Sequence, residues 1–565
     1  MTRAPLTRRG FIGWVAASAL VGVAGMPLVA ACTTSPPPPA AGQAVSGASS
    51  GGAAVKLPSY VPTTQGPRPD LPGTADGIDP AFFSLPTELF ASVPQPPASG
   101  GEITVQTWTQ TAPPPPMDQN AYWQELNKRL GATLKINIVP QGDYQAKLAT
   151  TMAGNDLPDI LFVNSRTLEG LPQFLKAQAA DLTPYLSGDA IKDYPNLANL
   201  PTPTWTGMVF NNAIYGIPVP INPFDWVLFV HQELLDRDGL EHPRTAARFK
   251  DLMGALTRPQ QNQWGINTEG GVGSALGMLS GLYPAMFGAP LNWSLDANGK
   301  FTKNFETPQY AAALAFARDI YTAGYVSPKA LELNNTSGKQ ELYNRTTATR
   351  WDGFRTYGLV WRQGQNLIPR AAIRTIRPFS HDGVSTPTYY LSPGNRGFSI
   401  IKKTSETRTR ELLRVFNYIA APFGSEEWYF QRYGLKDVHY SLDDTGEPAL
   451  TPRGDAEIAL PLGWITQPAP TLSGIANGPE YAKLLYGDEV AHLPNGIADP
   501  TGALYSSVSG AKTPALNQKM ADGMTAIITA RQPLGDWEQL VKDWRAGGGD
   551  EVRADYEKAY AAARG

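Results

Sequence analysis

Several short stretches place flat aromatic faces next to groups that bond hydroxyls. Trp108 follows Gln106 at the end of an alternating apolar segment, and Asn164 ends another, "LPDILFVN". "RWDGFRTYGLVW" sets Trp351, Asp352, Arg355 and Tyr357 within one turn-rich run, and Trp293 and Trp464 are two further tryptophans that could supply an aromatic face. An apolar face with carboxylates, amides or a guanidinium beside it suits the C–H side and the hydroxyls of a sugar ring. Trp108, Gln106, Asn164, Trp293, Trp351, Asp352, Arg355 and Trp464 are therefore candidate ligand contacts. Trp537 and Trp544 fall on a regular helical stripe and read as core.

Other chemistry has less support. No G-x-S-x-G, H-E-x-x-H or Walker-type loop occurs, so no catalytic residue is assigned. A glycoside hydrolase or polysaccharide lyase needs only two carboxylates, whose separation sequence does not reveal. The five histidines lack ligand spacing, and "DANGK" (296–300) has its glycine at position 4, not at position 6 of a calcium loop. It reads as a hairpin turn; no metal and no cofactor is expected.

The single cysteine, Cys32, has a different chemistry. Arg3, Arg8 and Arg9 precede an uncharged run from Phe11 to Ala31, and Ala30 and Ala31 stand directly before the cysteine. This is the order of an export signal. Thr7-Arg8-Arg9-Gly10-Phe11-Ile12 resembles a twin-arginine signal, and Leu28-Val29-Ala30-Ala31-Cys32 resembles the bacterial lipobox. Residues 1–31 are read as the signal and Cys32 as the lipidation site. Residues 32–100 form a Pro/Gly/Ser-rich spacer and an N-terminal arm in which "AFFSL" and "ELF" can pack. The chain is then anchored to the cell membrane, outside the cytoplasm, and its folded part has no cysteine for disulfide or thiolate chemistry.

The formal charge of −3 and the lack of a long basic run argue against nucleic-acid binding. With 565 residues, the part beyond the arm exceeds one ordinary core, so two lobes are expected. "EITVQTWTQ", "TLKINIVP" and "LPDILFVN" read as strands separated by two helices. Asp118 and Asp143 are the expected caps, and Gly131 and Gly154 the stops. That alternation predicts a parallel α/β sheet, with ligands beyond the carboxyl ends of its strands, where Trp108 and Asn164 lie. Asn298-Gly299 marks a hairpin.

"GNDLPDILFVN", "YGIPVP", "LLDRDGLEHPRTAARFKDLMGAL", "MFGAPLNWSLDANGKF", "RYGLKDVHYSL" and "WEQLVKDWRAGGGDEVRADYEKAY" occur in this order. Together they resemble the large lipoprotein branch of the extracellular solute-binding proteins of bacterial ABC importers, associated with oligosaccharide uptake. The resemblance covers about residues 100–562. It implies a two-lobed periplasmic-binding-protein-like fold of type II whose lobes close over a ligand. Lobe one is then 101–222 with 342–400, and lobe two 223–341 with 401–565. The first crossing falls at "PVPINPFDW", putting Asn222, Asp225 and Trp226 near the cleft. His231-Gln232-Glu233 replaces the Arg-Lys-Asp often found in the family. The resemblance further implies a monomeric receptor that delivers an oligosaccharide to ABC permease subunits. A peptide or other solute as ligand, a surface enzyme using the same cleft, and an adhesion lipoprotein are the alternatives.

Overall fold

The computed structural model describes residues 55–564 except 75–76, 155, 225, 268–278, 280, 334, 359–371, 445 and 476. The export signal, Cys32, the first part of the spacer and Asp225 lie outside the described residues, as does the side chain of Arg355.

The first sheet begins with the expected alternation: strand β1 (Glu102–Thr109), helix α1 (Ala121–Leu130), strand β2 (Thr133–Pro140), helix α2 (Gln141–Ala153) and strand β3 (Ile160–Val163). β1 pairs in parallel with both β2 and β3. Tyr122, Leu126 and Leu130 recur at fourfold spacing and are buried, which holds α1 on the sheet. Gly131, at φ 70°, ends α1 in the left-handed conformation that favours glycine. The cap is Asn120, whose side chain accepts from the Trp123 N–H at 2.8 Å, and not Asp118. A 3₁₀ turn over Met117–Gln119 consumes the residues expected to start the helix. α2 likewise begins at Gln141, two residues before Asp143.

Strands β4 (Ile217–Pro220) and β9 (Asn395–Ile401) complete this sheet in the order β2-β1-β3-β9-β4, with β9 antiparallel to both neighbours. A second sheet has the order β8-β5-β7-β6, from β5 (Trp226–His231), β6 (Trp264–Ile266), β7 (Thr347–Gly353) and β8 (Ile373–Ile376). Two cores follow. One gathers residues 98–219 with Phe398, Leu412, Phe416 and Ile465; the other gathers Leu228 to Phe379 with Leu504, Leu516 and Tyr556.

These lobes divide differently from the sequence reading. The strands at 347–353 and 373–376, expected in lobe one, pair with β5 and belong to the second sheet. Helix α3 (Glu406–Ile419), expected in lobe two, packs in the first core. Neighbouring strands are chosen by long-range pairing, which a strand's own residues do not encode. Among the described residues the chain crosses between lobes in three places: between β4 and β5, between β8 and β9, and between Ile465 and Leu504. The arm packs along the molecule, with Phe82 stacked 4.2 Å from Phe423.

Helix α4 (Pro479–His492) supports the crossings. Glu489 accepts from the Asp79 N–H at 2.8 Å and from the Asn222 amide at 3.1 Å. His492 packs between the rings of Phe224 and Tyr389, and one of its ring nitrogens lies 2.7 Å from the Asp488 carbonyl. Burial raises the Asp488 carboxyl from 3.8 to about 6, against the opposing pull of Arg377 and Arg374. Burial lowers His492 from 6.5 to about 4. The two act in opposite directions. A raised acid stabilises the fold at low pH and loses that stability as pH rises through 6; a depressed histidine loses stability as pH falls from 6.5 towards 4. Asp488→Asn removes the first slope. Its unfolding free energy should exceed that of the parent chain above pH 7 and fall more steeply between pH 6.5 and 4, as read by urea titrations across pH.

Candidate functional site between the lobes

A cavity of about 840 Å³ is walled by both lobes. Lobe one contributes Gln145, Leu148 and Met152 of α2 and the loop Ser165–Gly170 that follows β3. Lobe two contributes a hairpin and the start of a long helix, α5 (Ser507–Ile528). The site thus sits just past the carboxyl end of a parallel strand, where the loop's backbone is free of the ladder. Its volume falls in the range of small-molecule sites, about 300–1,000 Å³.

The hairpin pairs Trp293–Leu295 with Phe301–Lys303 around Asn298-Gly299, with Trp293 directly opposite Lys303. Asp296 closes the turn by accepting from the Asn298 and Lys300 N–H groups at 2.8 Å each. That carboxylate serves the turn, as the hairpin reading requires. Trp293 is held by Phe301, Trp544 and Tyr556, with ring centroids 6.2, 6.0 and 5.8 Å away. The Lys303 ammonium lies 5.1 Å from the Trp293 centroid, bonds the Asn292 side-chain oxygen, and has its pKa lowered by burial to about 8. Asp499 and Glu306 oppose that shift, so the group stays a cation at neutral pH. The Asn292 amide in turn donates to Asp499 at 2.6 Å. The wall is therefore a rigid aromatic cluster edged by one cation and by amide and hydroxyl groups.

Of the candidates named from sequence, Trp293 lines this cavity. Asn164 is one bond behind it, donating to Gln145 at 3.2 Å. Trp108 and Trp464 meet edge to face at 5.0 Å at the carboxyl ends of β1 and β3, with Arg396 5.7 Å over Trp464. The Trp108 indole N–H is buried and has no partner among the described residues. Gln106 opens instead towards a groove at the outer edge of lobe one, its side-chain oxygen accepting from Asn137 and Thr151. Asn222 is committed to the crossing: its amide donates to Gly77 and Glu489, and its oxygen accepts from the Phe224 N–H.

Trp226 and Trp351 stack on each other, 6.4 Å apart at 20°, on the second sheet. Asp352 is 3% exposed and accepts from Arg350, itself fully buried, at 2.8 Å. Lys303, Asn292, Gln145 and the 165–170 loop were not singled out in the sequence. A signal for Lys303 existed: it stands as far after Asn298 as Trp293 stands before it, so folding the hairpin at that turn pairs them.

Known proteins share this fold. Residues 113–353 match the sequence model of the family described as bacterial extracellular solute-binding protein. The polygalacturonan/rhamnogalacturonan-binding protein YtcQ of Bacillus subtilis (strain 168) is 22% identical over 466 residues, 80% of this chain and 89% of its own. Lipoprotein LipO of the same organism is 22% identical over 479 residues, 82% of this chain and 93% of its own. The solved N-glycan transport solute binding protein of Streptococcus pneumoniae superposes with a TM-score of 0.59 at 16% identity, covering 82% of this chain and 99% of that one. The shared architecture is the two-lobed α/β fold.

Proposed function

We propose that the chain, which has the sequence pattern and the fold of the bacterial extracellular solute-binding proteins, captures an oligosaccharide between its lobes and hands it to an ABC permease. The observation that carries this reading is the 840 Å³ cavity shared by the two lobes, with Trp293 as an apolar wall and hydrogen-bonding groups around it. Closure of two lobes on a ligand converts binding into a shape that a permease can read. The carbohydrates in the names of YtcQ and the pneumococcal protein support a saccharide as cargo.

A binding role fits better than catalysis. Among the described residues that line the cavity, Glu169 is the one carboxylate, whereas glycoside hydrolysis ordinarily uses two, about 5–9.5 Å apart. Twin-arginine export and acylation at Cys32 would hold the receptor outside the membrane; the resemblance to Lipoprotein LipO supports the acylation. Two acyl chains would anchor it stably where one would not.

A thermal-shift screen of the full chain carrying Cys32→Ser, against oligosaccharides with monosaccharides and peptides as controls, tests the proposal. A ligand at 100 times its Kd adds about 2.7 kcal/mol. A shift with one saccharide class, and no product on chromatography, is the expected result. A shift with peptides alone, or release of sugar products, would sink it. The same substitution should abolish incorporation of a labelled fatty acid into the chain in the producing cell.

A further inference from the structure

The lobes touch directly along one seam. Arg166, in the loop after β3, reaches out of lobe one and donates to the Gly502 carbonyl at 2.5 Å and the Ala503 carbonyl at 3.4 Å. Tyr505, three residues on, reaches the other way and donates its hydroxyl to the Leu168 carbonyl at 3.2 Å. The segment that Arg166 grasps is fixed in lobe two, by buried Leu504 and by Ser506, which donates to Asp555 at 2.7 Å. Gly510 completes the seam: a Cβ there would stand 2.5 Å from the Thr167 carbonyl, so the first turn of α5 lies against the loop backbone.

The chemistry of Arg166 is unusual for a purely structural cation. Among the described residues no carboxylate acts on its charge, and its Nε is buried without a hydrogen-bond partner. Its guanidinium lies 4.7 Å over the Phe210 ring. Removing a charge from water without a counter-charge is costly, and two backbone carbonyls repay only part of that cost. Such a contact is easily broken and remade, because the charge regains its hydration when the seam parts.

We propose that Arg166 and Tyr505 form a reciprocal interlobe latch that sets how much of the chain is closed before ligand arrives. Arg166 is then a positioning residue, acting on affinity through the population of the competent state. An intrinsic Kd is raised by the reciprocal of that fraction. The inference rests on the reading of the lobes as closing on a ligand, but its first readout needs none. The test uses the full chain with Cys32→Ser and spin labels on Gln141→Cys and Gln518→Cys, exposed residues on facing lobes. In Arg166→Ala and Tyr505→Phe the ligand-free distance distribution should move to longer values, with thermal unfolding as in the parent. Arg166→Lys should lie between. For any saccharide that binds the parent, Arg166→Ala should weaken binding about tenfold if the closed fraction falls tenfold. Unchanged distances in both Arg166→Ala and Tyr505→Phe overturn the latch, whatever the sugars do. If both variants lengthen the distance while no saccharide shortens it in the parent, the latch stands and the proposed cargo fails.

Discussion

Replacing Asp352 with alanine should lower the free energy of unfolding by about 3–5 kcal/mol, because it removes the carboxylate bonded to a buried cation. Arg350 is fully enclosed, and its guanidinium donates to Asp352 at 2.8 Å and to the Asn267 side chain at 3.2 Å. Gly338 packs so closely that a Cβ there would meet the guanidinium at 2.3 Å. Asp352 also accepts from the Gly353 N–H at 2.7 Å, and Lys339 lies 3.9 Å from it. Taking both charges away in Arg350→Met/Asp352→Leu should cost much less than the single change, since the pair's desolvation penalty leaves with it. Urea titrations of the three chains check this. A carboxylate that serves a ligand would give the reverse pattern: Asp352→Ala would keep its stability and lose binding.

Asp352 also shows where sequence reading reaches its limit. Beside Trp351 and Arg355 it looked like a ligand contact, since a core seldom needs a carboxylate. The relevant neighbour was Arg350, two positions earlier, because side chains at i and i+2 share one face of a strand. That pairing was open to inspection once 347–353 was read as a strand, but which face is enclosed depends on β5, more than a hundred residues away. The β-α-β-α-β opening was legible for the opposite reason. Its periodicities and the glycine stop at 131 are local, and local spacing decides which face is apolar. The Asn298-Gly299 hairpin was legible in the same way, and with it the neighbour of Trp293. The cavity was not, because its two walls come from lobes that only the crossings bring together.

Trp293→Ala should raise the Kd for the saccharide about a hundredfold, a loss of about 2.7 kcal/mol. The ring is the aromatic wall that the hairpin carries into the cavity, and its neighbours Trp544 and Tyr556 line the same wall. Trp293 is itself 3% exposed, so its removal takes away the backing of this wall more than open apolar surface, and it leaves Lys303 with the Phe305 ring, 5.5 Å away, as its remaining π face. It also opens a hole among Phe301, Trp544 and Tyr556, so a loss of fold stability of about 3–5 kcal/mol accompanies the loss of binding. Trp293→Phe separates the two effects, since a smaller ring keeps much of the packing while presenting less surface. The control is Trp226→Ala. Trp226 stacks on Trp351 and does not line the cavity, so its loss should leave affinity within about twofold, less than 0.5 kcal/mol. Calorimetric titration of the three variants decides between these two aromatic candidates. If Trp226→Ala abolishes binding and Trp293→Phe and Trp293→Ala do not weaken it, the ligand sits against the second sheet near the crossings, and the interlobe cavity is not the binding site.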